Sequence, residues 1–153
     1  MKKEEIKVVA INKKASHEYF ILETYEAGIV LVGTEIKSVR NTKVSIQDAY
    51  CEIKHQEMYV QNMHIAQYEK GNIFNHKEVR ERKLLLHKKE IIKLFSKVQL
   101  EGLTIIPLEI YITNGLCKVK IGLCKGKKLF DQRNDIKEKS VKRDIEKNYK
   151  VRY

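Results

Sequence analysis

Proline, tryptophan and long apolar runs are what this sequence has least of. One proline, no tryptophan and seven glycines in 153 residues exclude a collagen-like chain or one made mainly of linkers. No apolar stretch reaches the roughly eighteen residues that a membrane-spanning helix needs. The opening segment MKKEEIKVVAINKK has no apolar signal core, so the expected location is the cytoplasm, with no membrane partner. Cysteine is scarce as well: Cys51, Cys117 and Cys124 form no CxxC pair, and an odd count argues against a disulfide framework. Free, buried or half-buried thiols are expected, and on one continuous strand Cys117 and Cys124 fall on opposite faces. The histidines His17, His55, His64, His76 and His87 show neither HExxH nor a zinc-ligand spacing, so no metal is expected. There is no nucleophile elbow, dinucleotide fingerprint or zinc-deaminase signature, and GLCKGKK (122–128) has the wrong glycine spacing for a P-loop. With no sign of a cofactor or a small-molecule substrate, a binding protein is expected rather than an enzyme.

Acidic residues are the remaining shortage. Thirty-one Lys and Arg face twenty Asp and Glu, a formal net charge of +11. That excess makes a polyanion the first partner to consider. From Lys125 to Tyr153 there are eleven basic and five acidic residues, so the last 29 residues carry a net +6 and the other 124 a net +5. The terminal segment has few large apolar side chains, too few to offset the backbone entropy of ordering it alone. Two readings stay open for it: a solvated tail, or a basic arm that folds on RNA, with a weakly amphipathic helix over Asp135 to Asn148.

What is present in quantity is β-branched and aromatic sequence. Residues 6–11 and 19–32 read as strands, the second with a bulge or bend at Ala27-Gly28. Residues 33–40 read as a short helix with Thr34 as N-cap and Glu35 in its first turn. Strands follow near 46–54 and 57–66 around a turn at His55-Gln56, and a loop runs from Tyr68 to Val79. Residues 80–99 read as a helix, with Leu84, Ile91, Phe95 and Val98 near helical period, closed by Gly102. Residues 103–112 form a strand with Pro107 at an edge or bulge, and Asn114-Gly115 turns a hairpin. On the return strand Cys117, Val119, Ile121 and Leu123 take one face and Lys118 and Lys120 the other. About six antiparallel strands with flanking helices suggest a mainly β fold, an OB-like closed barrel, over 1–130 with a basic tail over 131–153. OB barrels commonly bind nucleic acid.

Three clusters carry chemistry. Lys118, Lys120, Lys125, Lys127 and Lys128 place five cations within eleven residues around Gly126, suited to phosphate or to a plain charged surface. Lys13 and Lys14 precede His17 and Tyr19, which suits phosphate contacts beside a stacking ring, or simply a basic turn. Glu26 stands beside a glycine in a basic chain. A carboxylate repels phosphate but accepts hydrogen bonds from base amino groups or a 2′-hydroxyl; it can equally be a surface residue.

The strings NKKASHEYFILETYEAGIVLVGTEIKSVR (12–40), GNIFNH with RKLLLHKKEI (71–91) and CKVKIGLCKGKK (117–128) resemble the bacterial SsrA-binding protein family, SmpB, over residues 6–135 and in the same order. The resemblance implies an OB-like barrel with flanking helices and a basic tail, disordered alone and helical on the ribosome. It also implies that the chain binds the tRNA-like domain of transfer-messenger RNA (tmRNA) and has no catalytic activity. With alanyl-tmRNA and elongation factor Tu, such proteins enter the empty A site of stalled ribosomes in trans-translation, the tail lying in the vacant mRNA channel of the small subunit.

Carried onto matching positions, the tmRNA contacts are Glu26, Leu85 and Lys118; Leu85 can equally be core. The charge clusters add Lys120, Lys13 and Lys14 as candidate RNA-binding cations. His17 matches a residue facing the decoding centre. Gly126, Lys127, Lys128, Asp131 and Arg133 match the segment leading into the channel, where the tail cations Lys137, Lys142 and Arg143 follow. Three positions depart from the family pattern: Gln132 replaces a lysine, Thr42 a glycine, and Lys77-Glu78 an Asp-Pro pair. The competing readings are a general OB-fold translation or rRNA-binding factor without tmRNA preference, and an RNA-modifying or RNA-cleaving enzyme using Glu26 or His17.

Overall fold

The computed structural model describes residues 6–70 and 75–127. The barrel boundary at 130 and the tail residues Lys128, Asp131, Arg133, Lys137, Lys142 and Arg143 lie outside the described residues.

In chain order the elements are β1 (Ile6–Ile11), α1 (Lys13–Glu18), β2 (Tyr19–Ile29), α2 (Gly33–Arg40), β3 (Val44–Ser45), β4 (Tyr50–Lys54), β5 (Glu57–Gln61), β6 (His64–Ile65), β7 (Arg82–Leu85), α3 (Lys88–Glu101), β8 (Thr104–Thr113) and β9 (Leu116–Gly126). The fold is mainly β. Seven strands form one antiparallel sheet in the order β1-β8-β4-β5-β7-β2-β9, and β8 also pairs with β9; β3 and β6 make a small second sheet. The strand count therefore exceeds the expected six.

The core follows from alternation. Inward residues Met58, Val60, Leu84, Ile105, Ile110, Val119, Ile121 and Leu123 pack with Leu94 of α3 and Val39 of α2 into one apolar cluster. Ala15, Ile106, Leu108 and Cys124 form a second, smaller cluster beneath α1. Cys117 packs against the first cluster and Cys124 belongs to the second, so the two thiols do face opposite ways. Burial pushes both thiols up to about 11, so neither is a nucleophile near neutral pH.

Two hairpin turns match expectation, with left-handed φ at His55 (50°) and Gln56 (65°), and at Asn114 (51°) and Gly115 (74°). Gly102, at φ 64°, caps α3 as expected. Pro107 adjoins a bulge between β8 and β9. The extra residue there, Leu108, lies against Gly122, where an added Cβ would stand 2.8 Å from Leu108 Cδ1.

Several local expectations need correction. Residues 82–85 are a strand, not the first turn of a helix, because β5 and β2 pair with them from both sides. Arg82 and Leu84 then point inward, and the helix begins only at Lys88. Within α3 the buried residues are Ile91 and Leu94, while Phe95 is 45% exposed. The basic turn at 12–19 is helix α1, capped by Asn12. The cap of α2 is Val32 rather than Thr34, whose hydroxyl instead bonds His76 Nδ1 at 2.9 Å. The irregularity of β2 against β9 falls between Ile21 and Glu23, not at Ala27-Gly28. The run expected over 57–66 breaks at Asn62, whose φ of 57° interrupts extended backbone.

Candidate nucleic-acid interface

Cross-strand register assembles the site from segments far apart in sequence. Gly28 pairs with Leu85 of β7 on one side and with Lys118 of β9 on the other, and Lys118 pairs with Tyr111 of β8. Leu85, Gly28, Lys118 and Tyr111 thus form one row across four strands. The next row is Glu26, Lys120 and Glu109. Because strand side chains alternate, Glu26 and Gly28 share the face opposite buried Ala27, and Lys118 and Lys120 the face opposite buried Val119. Leu85 is 52% exposed, so it is a surface residue and not core. Its side chain lies over Gly28, 3.4 Å from where a Cβ would stand.

Electrostatics divide this surface. Tyr111 Oη donates to Glu26 Oε2. Lys120 Nζ stands 3.8 Å from Glu109 Oε2, beyond hydrogen-bond length. The Lys118 side chain makes no hydrogen bond or ion pair with the described residues. Burial first, then the bond and charge of Glu26, raise the Tyr111 pKa and keep its phenol a donor.

A second cluster lies at the far end of the same two strands, where Tyr19 pairs with Gly126. Gly126 is eight residues from Lys118 along β9, or ~26 Å at ~3.3 Å per residue. Here α1 holds exposed His17. Lys127 Nζ donates to Ser16 O at 2.9 Å and sits 5.3 Å from the Phe20 ring centroid, an aromatic–cation contact. Asn12 sets the helix in place: its Oδ1 accepts from the Ala15 N–H at 3.0 Å. Its Nδ2 donates to Ile46 O at 3.1 Å and Pro107 O at 3.0 Å. Lys14 is tied to Asp48 at 3.1 Å. Because α1 packs over Ile106, Leu108 and Cys124, beyond Gly122 on β9, Lys13 and Lys14 belong with His17 and not with the rows of Glu26 and Lys118.

Sequence reasoning missed Tyr111 and Asn12. Tyr111 carried a signal, being an outward position on a strand paired to the lysine strand. Asn12 carried the ordinary cap signal, a polar residue just before KKASHE. Among the described residues no group of three His, Cys, Asp or Glu side chains is arranged to hold a metal ion.

The family model described as SmpB protein matches residues 9–151. This chain belongs to the SmpB family. It is 55% identical over 148 residues to an SsrA-binding protein of Caldanaerobacter subterraneus, covering 97% of this chain and 94% of that one. A Geobacillus thermodenitrificans SsrA-binding protein is 51% identical over 152 residues, covering 99% and 98%. Among solved structures, a chain described as "tmRNA-SmpB: a journey to the center of the bacterial ribosome" superposes with a TM-score of 0.65 at 49% identity, covering 76% of this chain and 82% of that one. No described helix is long and apolar enough to cross a membrane.

Proposed function

We propose that this chain is the RNA-binding adaptor of trans-translation. It binds the tRNA-like domain of tmRNA and brings it to the A site of stalled ribosomes in the cytoplasm. Elongation factor Tu joins through the alanyl-tmRNA, and the adaptor itself catalyses nothing. The observation that carries this reading is the row Leu85–Gly28–Lys118–Tyr111 with Glu26 beside it, which unites three separate sequence blocks on one face.

The chemistry suits a structured RNA. Lys118 supplies a phosphate contact, Glu26 an acceptor for a base or ribose donor, and Leu85 an apolar platform. The scaffold is read as an OB-like closed barrel: β8 pairs with β4 and with β9, so the pairings β8-β4-β5-β7-β2-β9 return to their start. The far cluster, His17 with Gly126 and Lys127, is assigned to the decoding centre. Lys128, Asp131, Arg133, Lys137, Lys142 and Arg143 follow it into the mRNA channel as a tail.

The test is affinity for the tRNA-like domain against unrelated hairpins at matched salt. A clear preference is expected; equal affinity would leave a general rRNA-binding or translation factor. Product formation on RNA that Glu26→Ala abolishes without loss of binding would instead make the protein an enzyme.

A further inference from the structure

We propose that Tyr111 is a positioning residue for this RNA surface: its hydroxyl holds the Glu26 carboxylate off the lysines, so that Glu26 and Lys118 both remain available to RNA. The inference rests on the reading that this face takes the tRNA-like domain.

The register makes the need plain. Glu26 stands directly opposite Lys120, and Lys118 lies one row away. An exposed carboxylate opposite a lysine ordinarily pairs with it. Such a pair would take both groups out of use, since the ammonium would no longer release a counterion on meeting a phosphate. No Glu26–lysine pair exists among the described residues, and Tyr111 occupies Glu26 Oε2 instead.

Tyr111 reaches Glu26 from β8 across the whole width of β9, since β8 and β2 flank that strand. Two strand spacings are ~9.6 Å, which a tyrosine and a glutamate span together. Tyr111 starts opposite Lys118 and ends on the residue opposite Lys120, so the bridge crosses β9 between the two lysines. It therefore separates two like charges as well as holding the carboxylate. A phenol donates without bringing charge, and it takes only Oε2, so Oε1 remains open as an acceptor. Lys120 keeps Glu109 as its neighbour at 3.8 Å, which leaves Lys118 as the cation most exposed to capture by a released Glu26.

The experiment is the salt dependence of binding between the full chain and the tRNA-like domain RNA. Wild type, Tyr111→Phe, Glu26→Gln and the double variant are compared, with melting curves to verify folding. Tyr111→Phe should weaken binding about tenfold and lower the log–log salt slope by about one, as Glu26 neutralises one lysine. In the double variant the slope should return to the wild-type value, because the neutral amide that replaces the Glu26 carboxylate has no charge to place on a lysine, while affinity stays reduced. Wild-type affinity and slope in Tyr111→Phe, or a slope loss that persists in the double variant, would overturn the proposal. Should Tyr111→Phe not fold, Glu26→Gln alone decides: an unchanged slope supports the proposal, and a slope raised by about one means that Glu26 was already neutralising a lysine. If wild type shows no preference over an unrelated hairpin, the identity of the partner fails, yet the slopes on whichever RNA binds still decide the role of Tyr111.

Discussion

At the scale of single residues, the outward face of β9 reads Lys118, Lys120, Gly122, Cys124, Gly126, and each position has a distinct job. The lysines face solvent at one end; Cys124 is buried under α1 at the other; Gly122 makes room between them for Leu108. Lys118→Ala should lower affinity for the tRNA-like domain and reduce the salt slope by about one contact, with an unchanged melting temperature. An unchanged slope would put Lys118 outside the phosphate interface. Gly122→Ala tests the packing instead. Its Cβ would meet Leu108 at 2.8 Å, and crowding of that kind in a packed site costs about 1–3 kcal/mol. Urea denaturation should show that loss, and a double variant that adds Leu108→Ala should be less sensitive to the glycine change. The alternation that sorts these residues was legible in CKVKIGL. The need for glycine at 122 was not, because it depends on a bulge that brings Leu108 over from β8.

Among the elements, α2 and β7 are joined by a buried ion cluster. Glu35, fully buried, receives Arg80 Nε at 3.0 Å and Arg82 Nε at 2.6 Å, while its Oε1 also accepts the Val32 N–H at 3.0 Å. Arg82 is buried too and donates to Met63 O at 2.7 Å. Burial alone would raise the Glu35 pKa, but Arg80, the Val32 N–H and Arg82 together hold it below the ordinary 4.5. A lowered carboxyl pKa contributes stability that is present above about 4.5 and is lost as pH falls through the folded value. Glu35→Gln should therefore cost about 3–5 kcal/mol at neutral pH, since it leaves Arg82 buried without its counter-charge. It should also flatten the acid limb of stability measured by urea denaturation across pH. Equal acid limbs in the two proteins would remove Glu35 from the linkage. This cluster explains why 80–85 misled the sequence reading. RKLLLHKKEI has the leucines of a helix, but Arg82 and Leu84 are fixed as inward strand positions by Glu35 and by β5 and β2, none of which is local. Asn114-Gly115 and Gly102 are legible for the opposite reason: asparagine and glycine accept a left-handed backbone by their own chemistry, so the hairpin turn and the helix end follow from the local residues.

For the whole molecule, the consequence of the β2–β9 ladder is two cation-bearing surfaces on one rigid frame. On the proposed reading, their ~26 Å separation along β9 gives room for two different RNA partners at once. The net +6 of the last 29 residues begins in sequence at the far cluster, where Lys127 is anchored to Ser16. Charge at Lys127 cannot add much to contacts made at Lys118, because exposed charges separated by more than ~10 Å are largely screened at 0.1 M salt. Changes at the two ends should therefore separate binding from ribosomal function. Truncation after Leu129 and the point variant His17→Ala should each leave affinity for the tRNA-like domain within about twofold. Both should abolish or strongly reduce tagging on stalled ribosomes. Lys118→Ala should do the reverse in the binding assay, and its tagging defect should be overcome by raising protein concentration, because a weakened equilibrium is restored by mass action. Excess protein should not rescue the truncation, since on the proposed reading the missing segment acts after tmRNA is bound. Tagging by the truncated protein, at any concentration, would reduce the tail to a solvated appendage and confine the function to the residues before it.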